Sequence, residues 1–201
     1  MHQVKKVLTE EEYSNLFVTS DTHFNHNQSF IYASRGYKNP EVMTTDMINT
    51  INDVVGKNGI LLHLGDFCLN TDLKQYLWLM SRLQIGQLWL LNGNHNNPHG
   101  NLDYRELDTS YEIKHFGDYF SFRYKTRNYS CSHFPFAIWD GMRNGVVHCC
   151  GHSHGTYPLS RPENKTHKIL DCGWDIHKKP LTIAEVNAIM DKKEINNLHH
   201  A

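Results

Sequence analysis

Short apolar runs that break off into polar clusters recur along the chain, at 16–20, 60–64, 87–91, 129–132, 146–150 and 168–172, and each predicts a strand. Their near-continuous hydrophobicity is the pattern of strands covered on both faces, as in a sandwich of sheets or a layered α/β fold. Between the first two runs, Met47, Ile48, Ile51, Val54 and Val55 recur at helical spacing, and Gly56 and Gly59 supply a stop. A second helix is predicted over about 71–83, with Leu73, Tyr76, Leu77, Met80 and Leu83 in one stripe and Thr71 or Asp72 as N-cap. A third runs from Thr182 to about Lys192: Thr182 and Glu185 have capping-box spacing, and Ile183, Val186 and Ile189 face inward. A hairpin is expected near 120–129, turning around Lys125, Thr126 and Arg127. Strand-helix-strand alternation early and strands later predict α/β layering with an antiparallel half.

The chain has 201 residues, 39% of them hydrophobic, enough for one core, and no repeat or linker divides it, so residues 1–201 are expected to form a single domain. Lys plus Arg at 20 against Asp plus Glu at 21 leaves a net charge of −1, which argues against long nucleic acid as a partner. No apolar run approaches ~18 residues and the charged start lacks a signal-peptide stretch, so a cytoplasmic protein without membrane contact is expected. The five Cys show neither a disulfide framework nor a thiolate zinc spacing and read as small buried hydrophobes. Histidine changes the picture: 15 copies, several beside Asp, Asn and Gly where apolar runs end, a setting for transition-metal or acid-base chemistry.

Five clusters stand at predicted strand ends: Asp21-Thr22-His23, Gly65-Asp66, Gly93-Asn94-His95, His133, and Gly151-His152-Ser153-His154. Strand ends of an α/β sheet are where sites are built. Side chains two apart on extended backbone face one way, so Asp21 with His23, and His152 with His154, are each expected to aim at one spot. Taken singly, Gly-Asp and Gly-Asn are turn chemistry, and a lone His after a strand is a hydrogen-bonding residue. Five in this order are hard to attribute to chance.

The ordered set, Asp-x-His, Gly-Asp, Gly-Asn-His, a lone His and Gly-His-x-His, closely resembles the calcineurin-like metallophosphoesterase family, over about 16–175. The resemblance implies a four-layer αββα sandwich of the metallo-dependent phosphatase type without a large cap. It also implies two divalent ions: Asp21, His23 and His154 on one, Asn94, His133 and His152 on the other, and Asp66 bridging. Two cations ~3.5–4 Å apart clamp the attacking and leaving oxygens of an in-line displacement, and a hydroxide held between them would be the nucleophile. His95, off the metals, is implied as general acid. Nitrogen and oxygen donors without thiolate favour Mn, Fe, Zn, Ni or Co, with Mn the first choice.

The implied substrate is a small phosphodiester or nucleotide, with phosphomonoester or protein-phosphate hydrolysis as the alternative. A non-catalytic metal-binding module and a mononuclear zinc hydrolase are the rival classes. Asn96 stands where much of the family has an acid. His26 and Asn27 could touch substrate phosphate or form a solvated loop. Arg35 is a candidate phosphate ligand by its fork geometry, with a surface role as the other reading. Asp171 and Asp175 are either groups supporting the site or a plain turn. Trp78 and Trp89 read as core, whereas Trp139 and Trp174 could line a substrate wall.

Overall fold

The computed structural model describes residues 5–69, 73–95, 109–157, 167–193 and 195. Asn96, the Thr71 or Asp72 cap and the end of the chain from Asn196 lie outside them. The elements are β1 (Lys5–Val7), α1 (Glu10–Ser14), β2 (Leu16–Thr19), α2 (Ser29–Tyr32), α3 (Pro40–Val55), β3 (Ile60–His63), α4 (Leu73–Arg82) and β4 (Gln87–Leu90). There follow β5 (Glu112–His115), β6 (Tyr119–Tyr124), β7 (Arg127–Ser132), β8 (Val147–Cys150), β9 (Ile169–Asp171), α5 (Trp174–His177), β10 (Leu181–Thr182) and α6 (Ile183–Met190). The strands form two five-stranded sheets, ordered β10-β2-β3-β4-β5 and β1-β6-β7-β8-β9.

The six apolar runs are strands within one or two residues of their expected limits. The expected antiparallel half is reduced to two pairings, the β6–β7 hairpin and β10 against β2. β7, β8 and β9 run parallel, because long crossovers join them. α3 begins upstream of the predicted Met47: Asn39 accepts the Val42 N–H at 2.8 Å and Pro40 opens the first turn. α4 is turned about its axis from the predicted stripe. Tyr76, Met80 and Leu83 of that stripe are buried as expected, whereas Leu73 and Leu77 are exposed and Leu79 takes their place, since the stripe left two registers open and the sheet selects the one holding Leu79.

Leu16, Val18, Leu62, Trp89 and Leu91 of the first sheet meet Phe120, Phe122, Tyr129, Val147 and Leu170 of the second in one core, and α6 closes its side. The outer face of the first sheet, through Leu61, Leu88 and Leu90, packs on Met47, Ile51 and Met80 of α3 and α4. The layering is therefore an α/β sandwich of helices, sheet and sheet. No α-helix among the described residues packs over the outer face of the second sheet, the position of the expected fourth helical layer. Trp139 and Val146, flanking a single 3₁₀ turn, pack there on Cys150 and Ile169. All five Cys are buried and free. No helix among the described residues is long and apolar enough to cross a membrane.

His148 of β8 holds that irregular layer down. Its Nδ1 lies 2.8 Å from Ser130 Oγ and 3.2 Å from the Ser130 carbonyl, and its Nε2 accepts the Phe136 N–H at 3.2 Å. The ring is thus used as donor at Nδ1 and acceptor at Nε2, which only neutral imidazole permits. Burial pushes its pKa down to about 4. Because the unfolded side chain titrates near 6.5, its contribution to stability is present above that pH and is lost as pH falls toward about 4. The loss expected from this residue is about 3 kcal/mol. Denaturant unfolding at a series of pH values checks it: His148→Gln should flatten the acid limb, and an unchanged slope would refute this account.

Candidate metal centre

The ligand candidates lie at the carboxyl ends of β2, β3, β4, β7 and β8, so both sheets contribute. Their loops are zipped together beyond the strands: the Asp21 N–H donates to the Gly65 carbonyl, His23 to Asp66 and Phe24 to Phe67, at 2.9–3.1 Å. A bridge between Ser20 and Gly173 ties β2 to the segment after β9, drawing the two sheets together at this end. The backbone is not extended there. Asp21, His23, Asp66, His152 and His154 have φ between 47 and 67°, the left-handed region. The expected pairs do converge, but through left-handed turns that re-aim each side chain; alternation along a strand is not the cause.

Two clusters result. Ligand atoms of Asp21, His23 and His154 lie within 4.8 Å of one another, as do those of Asp66, His133 and His152. Asn94 joins the second, its Oδ1 standing 2.8 Å from His133 Nε2 and 2.9 Å from His152 Nδ1. Asp66 Oδ2 faces both, 3.5 Å from His23 Nε2 and 3.4 Å from His133 Nε2. The His95 ring stays outside, 5.7 Å from the His23 ring and exposed, while its backbone N–H donates to Asp66 Oδ1 at 2.9 Å. His26 is buried edge-on to His23, its Nδ1 accepting the Gln28 N–H, so the solvated-loop reading fails for it; Asn27 is exposed.

Both ring nitrogens of His23 are buried with no hydrogen-bond partner. Burial drives its pKa down to about 3 and pushes Asp21 up to about 6. Burial also raises Asp66, but the hydrogen bond and charge of His133 outweigh it and hold the carboxyl near 2. A neutral, unpartnered imidazole facing dehydrated carboxylates is a donor set that a divalent cation satisfies, and these residues fit two such ions.

Two glycines make this density possible, and not by turning the chain. A Cβ on Gly93 would lie 2.1 Å from Asp66 Oδ1, and one on Gly151 would lie 2.4 Å from Asp21 Oδ2. Each glycine of the later motifs is the clearance for a carboxylate of the earlier ones, so the turn reading of Gly93-Asn94 gives way to one of close approach.

Arg35 corrects both readings of its role. Its side chain is 1% exposed, neither on the surface nor open to a phosphate. Its Nε and one terminal nitrogen donate to the two oxygens of Asp175 at 2.8 Å, and its terminal nitrogens also reach the Asp21 and Thr22 carbonyls at 2.7–2.8 Å. The second oxygen of Asp175 stands 2.6 Å from His154 Nδ1, which aims His154 Nε2 at the cluster. Asp171 accepts from Ser153 and Gly155 and so shapes the His152–His154 loop. Neither aspartate is a plain turn residue.

Trp139 and Trp174 are buried and line no substrate wall; Trp89 is core as expected, whereas Trp78 is half exposed. Two contributors carry no signal in the sequence beyond adjacency. Phe134, half exposed, rests its ring 4.4 Å from that of His152 and 5.1 Å from that of His133. His63, fully buried, accepts the Gly65 N–H and pairs with the Thr22 hydroxyl, which donates to the Phe67 carbonyl, locking the two ligand loops.

Fold and site together define a mixed α/β protein of two mainly parallel sheets with two His/Asp clusters able to hold metal ions. Along its sequence the chain is 24% identical over 186 residues to the uncharacterized protein MJ1445 of Methanocaldococcus jannaschii, spanning 90% of this chain and 93% of that protein. In fold it is similar to the crystal structure of AQ665, a protein of unknown function from Aquifex aeolicus, with a TM-score of 0.63 and 20% identity over 87% of this chain and 98% of that one. No protein-family model matches the chain.

Removing one partner from a buried ion pair leaves the other charge uncompensated, so Arg35→Ala is expected to cost about 3–5 kcal/mol in denaturant unfolding. A loss within ~0.5 kcal/mol would return Arg35 to the surface class. Gly93→Ala should cost roughly 1–3 kcal/mol by overpacking against Asp66 and weaken Mn(II) uptake measured calorimetrically; unaltered uptake would refute the clearance role.

Proposed function

We propose that this chain is a metallophosphoesterase of the calcineurin-like kind, hydrolysing a P–O bond of a phosphodiester or nucleotide-type substrate at a pair of divalent ions. The observation that carries the reading is the Asp66 carboxylate, one oxygen of which faces a ring of each cluster at 3.5 and 3.4 Å. Asp21, His23 and His154 would hold one ion and Asn94, His133 and His152 the other, with Asp66 common to both. Ions so bound supply Lewis-acid polarisation of a phosphoryl oxygen and acidify water. Nitrogen and oxygen donors without sulfur suit Mn, Fe, Zn, Co or Ni, and Mn is the first ion to test.

The chain's own residues supply the rest. His95 is anchored through its backbone to Asp66 and keeps its ring exposed beside His23, where an imidazole can donate to a phosphoryl oxygen or protonate a leaving oxygen. Asp175, held by Arg35, keeps the Nδ1 proton of His154 and leaves Nε2 as donor to an ion. Phe134 packs its ring against those of His133 and His152 and so steadies their orientation.

The test is turnover of a chromogenic phosphodiester and its monoester counterpart with Mn(II), with chelator, and in two variants. Wild type should be silent under chelation. His95→Ala should keep two ions per chain by elemental analysis and slow chemistry by roughly 10²–10⁴, the usual acid-base range. Asp66→Ala should lose paired ions and activity together. Turnover indifferent to chelator, or a His95 variant at full rate, would overturn the reading. Two bound ions with no hydrolysis of any phosphoester would favour a binding module instead.

A further inference from the structure

A groove of about 460 Å³ is lined by Asn25, Asn27, Pro40, Glu41, Gln75 and Trp78, the first two lying two and four residues after the ligand candidate His23. Its walls are continuations of the ligand loops. Asn25 and Asn27 follow His23 directly and flank His26, and Gln75 and Trp78 belong to α4, the helix that follows the Asp66 segment. Two contacts hold these segments in register: Phe24 pairs with Cys68 along the backbone, and the Asn25 N–H donates to the Thr44 hydroxyl of α3. Asn25 and Asn27, on either side of His26 whose ring meets that of His23, connect the groove to the first cluster along the chain, the course that the body of a phosphorylated ligand would follow.

The chemistry of the lining selects that body. Among the described residues that line it none is a cation and one is a carboxylate, so the lining suits a neutral body better than a second phosphate. Trp78 is 47% exposed although it follows a core-like pattern, and the Arg82 guanidinium lies 5.4 Å from the centre of its ring. A cation over an indole ring braces its orientation and leaves the rest of the π-system for a flat partner. Three carboxamides and a carboxylate sharing a groove with a π-face are the groups that read donor and acceptor edges of heterocycles: carboxamides pair bidentately with adenine-type edges and carboxylates accept from exocyclic amines. Stacking on an aromatic face supplies affinity for any base.

We propose that this groove is a nucleobase subsite, which makes the phosphoester substrate a nucleotide, with Trp78 as the stacking platform and Asn25, Asn27 and Glu41 as edge readers. The inference rests on the phosphoesterase reading for the position of the phosphate, but the groove can be tested without it.

Adenosine, guanosine, cytidine and uridine, none carrying phosphate, are titrated into metal-free wild-type protein with intrinsic tryptophan fluorescence as readout, and against Trp78→Ala and Trp78→Phe by calorimetry. Saturable quenching by at least one nucleoside, with binding weakened five- to 100-fold in Trp78→Ala and largely restored in Trp78→Phe, upholds the subsite. Absence of saturable nucleoside binding, equal binding in Trp78→Ala, or preferential binding of free ribose or maltose overturns it. In the Mn-loaded enzyme, the ratio of kcat/KM for the corresponding nucleoside monophosphate to that for ribose 5-phosphate should fall at least tenfold in Trp78→Ala. An unchanged ratio overturns the subsite while leaving the phosphoesterase standing. No turnover of these monoesters or of the chromogenic phosphodiester, with nucleoside binding intact, defeats the phosphoesterase and keeps the subsite.

Discussion

Two carboxylates withdrawn from water set the terms for this structure. Asp21 and Asp66 sit just beyond β2 and β3 with essentially no exposure, and an ionised carboxylate there costs several kcal/mol unless it is surrounded by donors. The donors come from every other cluster of the site. The His152 N–H binds Asp21, the His95 N–H binds Asp66, and the imidazoles of His133 and His154 stand beside Asp66 and Asp21, with the unpartnered ring of His23 between the two carboxylates. Gly93 and Gly151 are bare because a methyl group would occupy the carboxylate positions. The left-handed turns at five of the ligand candidates each carry about 1–3 kcal/mol of strain, which persists only where the surroundings over-determine it. Here they do, because the Asp21, His23 and Asp66 turns are stitched together by backbone hydrogen bonds and the His152–His154 loop is tied down by the Asp21 and Asp171 carboxylates.

The scaffold divides the labour between its two sheets. The first, packed on α3 and α4, supplies the buried floor of Asp21, His23 and Asp66. The second has serines, His148 and Asp171 on its outer face and an irregular layer over part of it, and it supplies His133, His152 and His154. Asn94, His95 and His152 are exposed, so the centre is a bowl with an anionic floor and an open rim of nitrogen and amide donors.

Residues whose chemistry is written in their type were legible from sequence alone; residues that act through shape were not. The strands could be read because unbroken apolar runs of four or five residues with a polar terminus have few alternatives, and Asp21, His23, Asp66, Asn94, His133, His152 and His154 could be singled out as candidates because each stands where such a run ends; the fold brings them into two clusters able to hold a metal ion. The register of α4 could not, since periodicity alone does not distinguish a stripe through Leu77 from one through Leu79. Arg35 misled for a physical reason: a guanidinium offers the same five donors to a phosphate as to a carboxylate and two carbonyls, and only the fold decides which it meets. Gly93 and Gly151 misled similarly, because close approach and turn formation both demand the residue without a side chain.

The placement of Arg35 links the fold to the chemistry of the first cluster. Its guanidinium spans the Asp21 and Thr22 carbonyls on the loop after β2 and the Asp175 carboxylate at the start of α5, two segments that follow strands in different sheets. Asp175 in turn grips His154, whose loop follows β8. Three loops of separate origin are therefore fastened by one buried cation, which compensates part of the negative charge gathered there and fixes the direction of an imidazole that must meet Asp21 and His23 at a common point. A surface lysine could supply the charge, but a planar fork with several fixed donors supplies the geometry as well, and at a site whose ligand atoms must converge within a few ångströms the geometry decides.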